Sequence, residues 1–283
     1  MERKSGGLKI WHTLIILPCF LLIQCFYGII ALLISQLFHH PFEKDLALGG
    51  FVNLLSIGLV VALSALILRI PWRRIFTVKR TSWLIYPLLL VTIIGLDILT
   101  SEFDNIFRYF FHIPGDPRFL NAIQYNPWGA ALTVIIIAPL TEETLFRGLI
   151  LQGFQRQYAS PKIAIILSAL LFGAIHLNWQ QAPGAAILGL LLGWVIVKTG
   201  SILPCLFIHG VSNSFVLMAA VVNFNIPGFS SSPTLQSGVV FQPLWFDLLG
   251  IILFTLGFWS LTWILKSPRV EANVPDLSLG AEN

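Results

Sequence analysis

The sequence predicts an all-α, polytopic membrane protein of about eight transmembrane helices. Two observations carry that prediction. The first is composition: 56% of the 283 residues are hydrophobic, 11% are charged, and the mean hydropathy is +0.83, whereas a soluble domain carries about 25% charged residues. The second is the arrangement of the charges, which lie between long apolar runs at roughly 11–38, 47–69, 82–100, 128–154, 162–178, 184–198, 202–222 and 244–265. Most of these runs are long enough to cross a bilayer as a helix.

The first run follows Arg3, Lys4 and Lys9. It is too long for a signal-peptide core and lacks a small-residue cleavage site, so it is expected to be a retained first span. Lys and Arg then alternate between connections. Arg69, Arg73, Arg74, Lys79 and Arg80 lie between the second and third runs, and Arg156 and Lys162 between the fourth and fifth. The connections on the other side carry only Lys44, Arg108 and Arg118. This bias predicts that both termini are cytoplasmic. It also accounts for the net charge of +4 without a nucleic-acid partner. A single membrane domain is expected over 1–270, with a disordered tail at 271–283 rich in polar residues. Cys19, Cys25 and Cys205 all fall in apolar runs, where disulfides are not expected.

Two outer connections differ from the rest. Residues 101–125 space Phe103, Ile106, Phe107, Phe110 and Phe111 helically. That pattern fits either a helix lying in the interface or an extension of the third span. Residues 223–243 carry no charge and many Ser, Gly and Pro, as a loop does.

The fourth run contains TEETLFRGLI, residues 141–150. A charge at membrane depth costs about 2.5–3.5 kcal/mol on insertion scales, so Glu142, Glu143 and Arg147 together require compensation. On a helix, Glu143 and Arg147 are four residues apart in the favourable acid-before-base order and can neutralise each other. Glu142 points about 100° away and has no local cation. Burial raises the pKa of a carboxylate toward the range useful for a general base.

Two further runs carry histidine. Phe172 and His176 are four apart in the fifth, and His209 and Asn213 four apart in the seventh, so each pair shares a helix face. Any one of these residues could be a structural polar group hydrogen-bonded to a neighbouring helix. Asp97 and Asp247 are taken as interfacial or structural. A carboxylate with two imidazoles is the set that water activation needs, directly or through a metal. Two histidines plus Glu142 also match a three-ligand catalytic zinc site with one open position. The His-Glu-x-x-His pattern of many zinc proteases is absent.

Glu-Glu-x-x-x-Arg at 142–147, Phe-x-x-x-His at 172–176 and His-x-x-x-Asn at 209–213, in this order on successive apolar runs, resemble the CPBP family of intramembrane proteases. That family includes the type II CAAX prenyl endopeptidases and bacteriocin-immunity-like proteins. The resemblance covers roughly residues 128–220. It implies an eight-helix fold enclosing an intramembrane cavity, and hydrolysis of a peptide bond in a membrane-associated protein, a prenylated CAAX tail in the best-known relatives. It also implies roles. Glu142, assisted by His176, would activate water; His209 and Asn213 would stabilise the oxyanion; Glu143 and Arg147 would hold the geometry of the fourth helix. The family admits both a metalloprotease and a metal-free glutamate mechanism. The metal-free geometry is favoured here, with zinc on Glu142, His176 and His209 as the alternative. A non-catalytic immunity or scaffolding role is the alternative function. A proton-coupled transporter is a third reading, against which the absence of an internal repeat counts.

One difficulty follows from the expected boundaries. They place His209 about 10 Å below its span end and His176 about 21 Å below its own. These groups converge only if some helices are longer, tilted or broken.

Overall fold

The computed structural model describes residues 8–39, 45–112, 118–158, 160–222, 224–229 and 239–265. All regular structure among them is helical. The helices are α1 (Ile10–Phe38), α2 (Leu46–Ile67), the short α3 (Trp72–Ile75), α4 (Ile85–Phe111), α5 (Arg118–Tyr125), α6 (residues 127–157), α7 (Pro161–Ala174), α8 (Gln181–Thr199), α9 (Leu203–Val221) and α10 (Leu244–Ile264). The expected tail at 271–283 lies outside the described residues.

Starts and stops follow local chemistry. Asp45 caps α2 by accepting the Ala47 N–H at 3.0 Å. Asn126 caps α6 by accepting the Gly129 N–H at 2.9 Å, and Pro127 follows at the first helical position, where its missing N–H costs nothing. Gly200, at φ 62°, closes α8 in the left-handed conformation open to glycine.

Six helices, α1, α2, α4, α8, α9 and α10, are long and apolar enough to cross a bilayer. The chain is a multi-pass membrane protein. The expected fourth-run and fifth-run spans differ in kind from these six. The fifth run forms α7 of 14 residues, about 21 Å long against a hydrocarbon core of about 30 Å. The fourth run is continuous helix over 127–157, but its pitch changes along the way. Leu132–Ile137 and Thr144–Leu151 are π-helical, and Ala138–Glu143 between them is α-helical. Wider π turns are rare and concentrate at functional sites.

Residues 101–111 belong to α4 rather than to a separate interfacial helix. The reason is visible on its polar face. Asn105 is buried and donates to Glu102 Oε2 at 2.9 Å and to the Gly228 carbonyl at 2.8 Å. The polar side turns to protein, while Phe103, Ile106, Phe110 and Phe111 face outward.

Two apolar clusters build the interior. One joins Phe20 of α1, Val60 of α2, Ile75 of α3, Phe146 and Phe154 of α6, and Phe172 of α7. The other joins Ile93 of α4, Leu192 and Val195 of α8, Cys205 and Ile208 of α9, and Leu261 of α10. Leu151 of α6 belongs to the second cluster, so α6 runs between the two. Helices approach closely where glycine removes the side chain. A Cβ on Gly95 of α4 would strike the Phe254 backbone of α10, and one on Gly189 of α8 would stand 3.1 Å from the Ala169 Cα of α7. The second contact brings the α8 backbone to the level of the charges on α6.

Candidate active site

The charged stretch of α6 sits at the junction of its upper α-helical part with the second π-helical part, and every charge on it faces protein. Arg147 is fully buried. Its Nη1 is 3.1 Å from Glu143 Oε1, its Nη2 donates to the Gly189 carbonyl at 3.3 Å, and its Cζ lies 4.4 Å above the Phe172 ring. The bare carbonyl at Gly189 is reachable because α7 and α8 pack closely there. The cation–π contact adds about 2 kcal/mol when desolvated. The i,i+4 pair expected from sequence is therefore formed, and ring and carbonyl complete its surroundings.

His209 of α9 joins this pair from the opposite side. Its Nδ1 is 2.8 Å from the same Glu143 Oε1 that meets Arg147. Its Nε2 is 3.7 Å from Glu142 Oε2. One imidazole therefore stands between two consecutive carboxylates. The two acids are unequal: the Glu143 side chain is 0% exposed and that of Glu142 19%. A group that must meet water and a substrate needs such access, and Glu142 has it. A carboxylate oxygen only accepts, so an ionised Glu143 requires a proton on His209 Nδ1. Nε2 then faces Glu142 as an acceptor in the neutral ring and as a donor in the imidazolium.

His176 lies two residues beyond the end of α7, in a turn rather than inside a span. Its Nδ1 is 2.8 Å from the Phe172 carbonyl. A carbonyl cannot donate, so Nδ1 carries the proton and Nε2 of the neutral ring is left as an acceptor. The His176 and His209 rings both stand edge-on to Phe172, with centroids 5.1 and 5.8 Å away. Phe172, quoted in the sequence only as a motif position, is the surface both histidines and Arg147 share. Asn213 is one turn beyond His209, and its Nδ2 donates to the Val134 carbonyl at 2.7 Å. Val134 lies in the first π-helical part of α6. The amide keeps its second N–H.

The depths of Glu143 and His209 are tied together through α3 and the chain around it. The Ile75 carbonyl lies against Gly148, 2.6 Å from where a Cβ would stand. The Ile202 N–H, just before α9, is bonded to the Thr77 carbonyl at 2.9 Å. One connection thus touches α6 five residues after Glu143 and α9 seven residues before His209. Measured from this common level the two groups are at similar depth. The end of α6 and the start of α7 continue past it, which the apolar runs did not reveal.

Of the two readings of Asp97, interfacial or structural, the structural one holds. It is buried at 9% exposure within α4, and its Oδ1 accepts the Ser212 hydroxyl at 2.7 Å. Ser212 lies between His209 and Asn213 on α9. An acid in an apolar run was the available signal, but its partner lies on a helix 115 residues further along the chain and cannot be paired from sequence. Asn53 of α2 was also missed; it donates to Thr141 Oγ1 at 3.4 Å, beside Glu142.

For a metal, the fit is poor. Among the described residues no three His, Cys, Asp or Glu side chains are gathered as a metal site. His209 Nδ1 and His176 Nδ1 meet oxygen acceptors, which leaves each Nε2 as the ring nitrogen a metal would take, while the nearby Glu143 is already shared with a guanidinium. Among the described residues, Glu142, His176 and His209 are not gathered into a zinc set.

Comparison with known proteins points the same way as the motifs. Residues 124–215 match the model of the Rce1-like family, described as type II CAAX prenyl endopeptidase Rce1-like. The chain is 34% identical over 82 residues to an uncharacterized 24.3 kDa protein of Escherichia coli, covering 28% of this chain and 38% of that protein. It is 27% identical over 217 residues to the uncharacterized protein YyaK of Bacillus subtilis (strain 168), covering 71% of this chain and 69% of that one. It is 34% identical over 140 residues to the UPF0177 protein YajF of Lactococcus lactis subsp. lactis (strain IL1403), covering 46% and 64%. The matches thus span from about two fifths to about two thirds of these relatives. No solved structure gives a significant match. Glu142, Glu143, Arg147, Phe172, His176, His209 and Asn213 all fall inside the matched segment, so the part of the chain that is similar to the Rce1-like, type II CAAX prenyl endopeptidase family is the part that builds this cluster.

Proposed function

We propose that the protein is an intramembrane endopeptidase that hydrolyses a peptide bond of a membrane-associated substrate by a metal-free mechanism. The observation that carries this reading is the imidazole of His209 held between Glu142 and Glu143 inside the helices, with only Glu142 retaining access. Glu142 takes a proton from water, and the hydroxide attacks the scissile carbonyl carbon. His176 Nε2, the bare nitrogen of that ring, orients the water by accepting its second hydrogen bond. The oxyanion is met by Nε2–H of the His209 imidazolium and by the free N–H of the Asn213 amide. The tetrahedral intermediate collapses when the proton held by Glu142 moves to the amine, which leaves with the cleaved strand. Glu143 and Arg147 position His209 and do not touch substrate.

The substrate is a peptide presented at the bilayer surface, and a prenylated CAAX tail is the first to test. The excess of Lys and Arg in alternate connections supports a cytoplasmic position for both termini and a cell-membrane location.

Glu142→Gln in reconstituted protein tests the reading. Cleavage of a farnesylated CAAX peptide and of its unprenylated form is expected to fall by at least about 10²-fold, as removal of a general base does, with helix content and insertion unchanged. Cleavage at the wild-type rate by the variant would refute the role of Glu142. A biological activity that survives loss of both Glu142 and His176 would instead favour the non-catalytic immunity or scaffolding role.

A further inference from the structure

The connection between α2 and α4 does more than orient the chain. Residues 69–84 carry Arg69, Arg73, Arg74, Lys79 and Arg80 and no acid. The segments that meet it, residues 144–162 and 198–206, add Arg147, Arg156, Lys162 and Lys198, again with no acid. Arg147 is spent on Glu143, but the others remain at this end of the bundle. The Arg156 guanidinium is held below the ordinary arginine value, first by burial and then by the nearby charge of Arg74. Lys79 is partly withdrawn from water, and that desolvation pulls its ammonium below the ordinary lysine value. Like charges gathered in this way need an anion from elsewhere.

The aromatic residues say where that anion lies. Trp72 is 51% exposed and stacks on Phe76 with centroids 6.1 Å apart, and Trp83 is 74% exposed. Exposed indoles beside cations at the ends of apolar helices mark the headgroup level of a bilayer. A basic cluster at that level attracts acidic phospholipids.

The same connection is fastened to both helices that carry the site. Ile75 is fully buried, with its carbonyl against Gly148, next to Arg147. Thr77 Oγ1 accepts from Gln152 Nε2 of α6 at 3.4 Å, its carbonyl accepts from Ile202 at the start of α9, and Ser201 Oγ accepts the Lys79 N–H at 3.2 Å. We propose that residues 69–84 bind the headgroups of anionic phospholipids, and that this binding steadies α6 and α9 against each other so that Glu142, Glu143 and His209 stay in register.

The test uses the full chain in nanodiscs of phosphatidylcholine, with and without phosphatidylglycerol. Native mass spectrometry counts retained lipid, thermal unfolding reports stability, and Glu142-dependent peptide cleavage reports the site. Phosphatidylglycerol is expected to be retained in preference to phosphatidylcholine, less so at high salt, and to raise both stability and cleavage rate. The variant Arg73→Gln/Arg74→Gln/Arg80→Gln should bind phosphatidylglycerol about 10²-fold more weakly and lose its response while keeping its rate in phosphatidylcholine. The corresponding triple lysine variant should retain the response. Equal retention of both lipids, an unchanged response in the glutamine variant, or equal stabilisation by inorganic phosphate would each overturn the proposal. The cleavage arm rests on the protease reading. If wild type cleaves nothing in any membrane, that reading fails, and the retention and unfolding arms still decide the lipid site.

Discussion

Glu143 Oε1 lies 2.8 Å from His209 Nδ1 and 3.1 Å from Arg147 Nη1, so a single oxygen ties α9 to α6 and serves both cation and imidazole. Its companion Oε2 is buried without a described partner. Breaking one side of a buried pair leaves an uncompensated charge, at a cost of about 3–5 kcal/mol. Glu143→Ala is therefore expected to lower unfolding stability in detergent by that order. Glu142→Ala, which removes a partly accessible carboxylate without a close cation, should cost less than about 1 kcal/mol. Equal losses would show that Glu143 is not the structural member of the pair.

Phe172 supports Arg147 on its face and two histidines at its edge. Phe172→Ala removes all three contacts and leaves a cavity, with an expected loss of about 3–5 kcal/mol. Phe172→Leu keeps most of the volume without the π face. It should cost less stability yet still reduce cleavage, which steady-state rates at a temperature well below unfolding can measure.

Asp97 and Ser212 are coupled by one buried hydrogen bond of 2.7 Å between α4 and α9. Asp97→Asn keeps an acceptor for the hydroxyl and should behave like wild type. Asp97→Ala and Ser212→Ala should each slow cleavage, and the double variant should be no worse than either. A double-mutant cycle should give a coupling energy of about 0.5–3 kcal/mol. Strict additivity would mean the bond does not position His209 and Asn213.

A metal-free mechanism predicts that chelators leave cleavage intact. Elemental analysis of purified protein should find zinc well below one equivalent, and dialysis against phenanthroline should not change the rate. Stoichiometric zinc that disappears in His176→Ala would establish the zinc alternative on Glu142, His176 and His209, since a catalytic zinc needs about three such ligands.

Much of this protein is written in its chain order. Apolar runs and their intervening cations determine an all-helical membrane protein, because the bilayer accepts helices whose backbone groups are satisfied internally. Charges that resist that environment single out Glu142, Glu143 and Arg147, and four-residue spacing pairs two of them. His176, His209 and Asn213 are found the same way, as polar groups on apolar faces. Tertiary structure alone decided which groups meet. It gave Glu143 to His209, Asp97 to Ser212 and Asn213 to Val134, since each partner lies on another helix and local periodicity holds no record of it. It also extended α4 through residues 101–111, shortened α7 to end before His176, and wound part of α6 into π turns. Those outcomes depend on buried hydrogen bonds and close backbone packing between helices, which a reading of hydropathy along one chain does not contain.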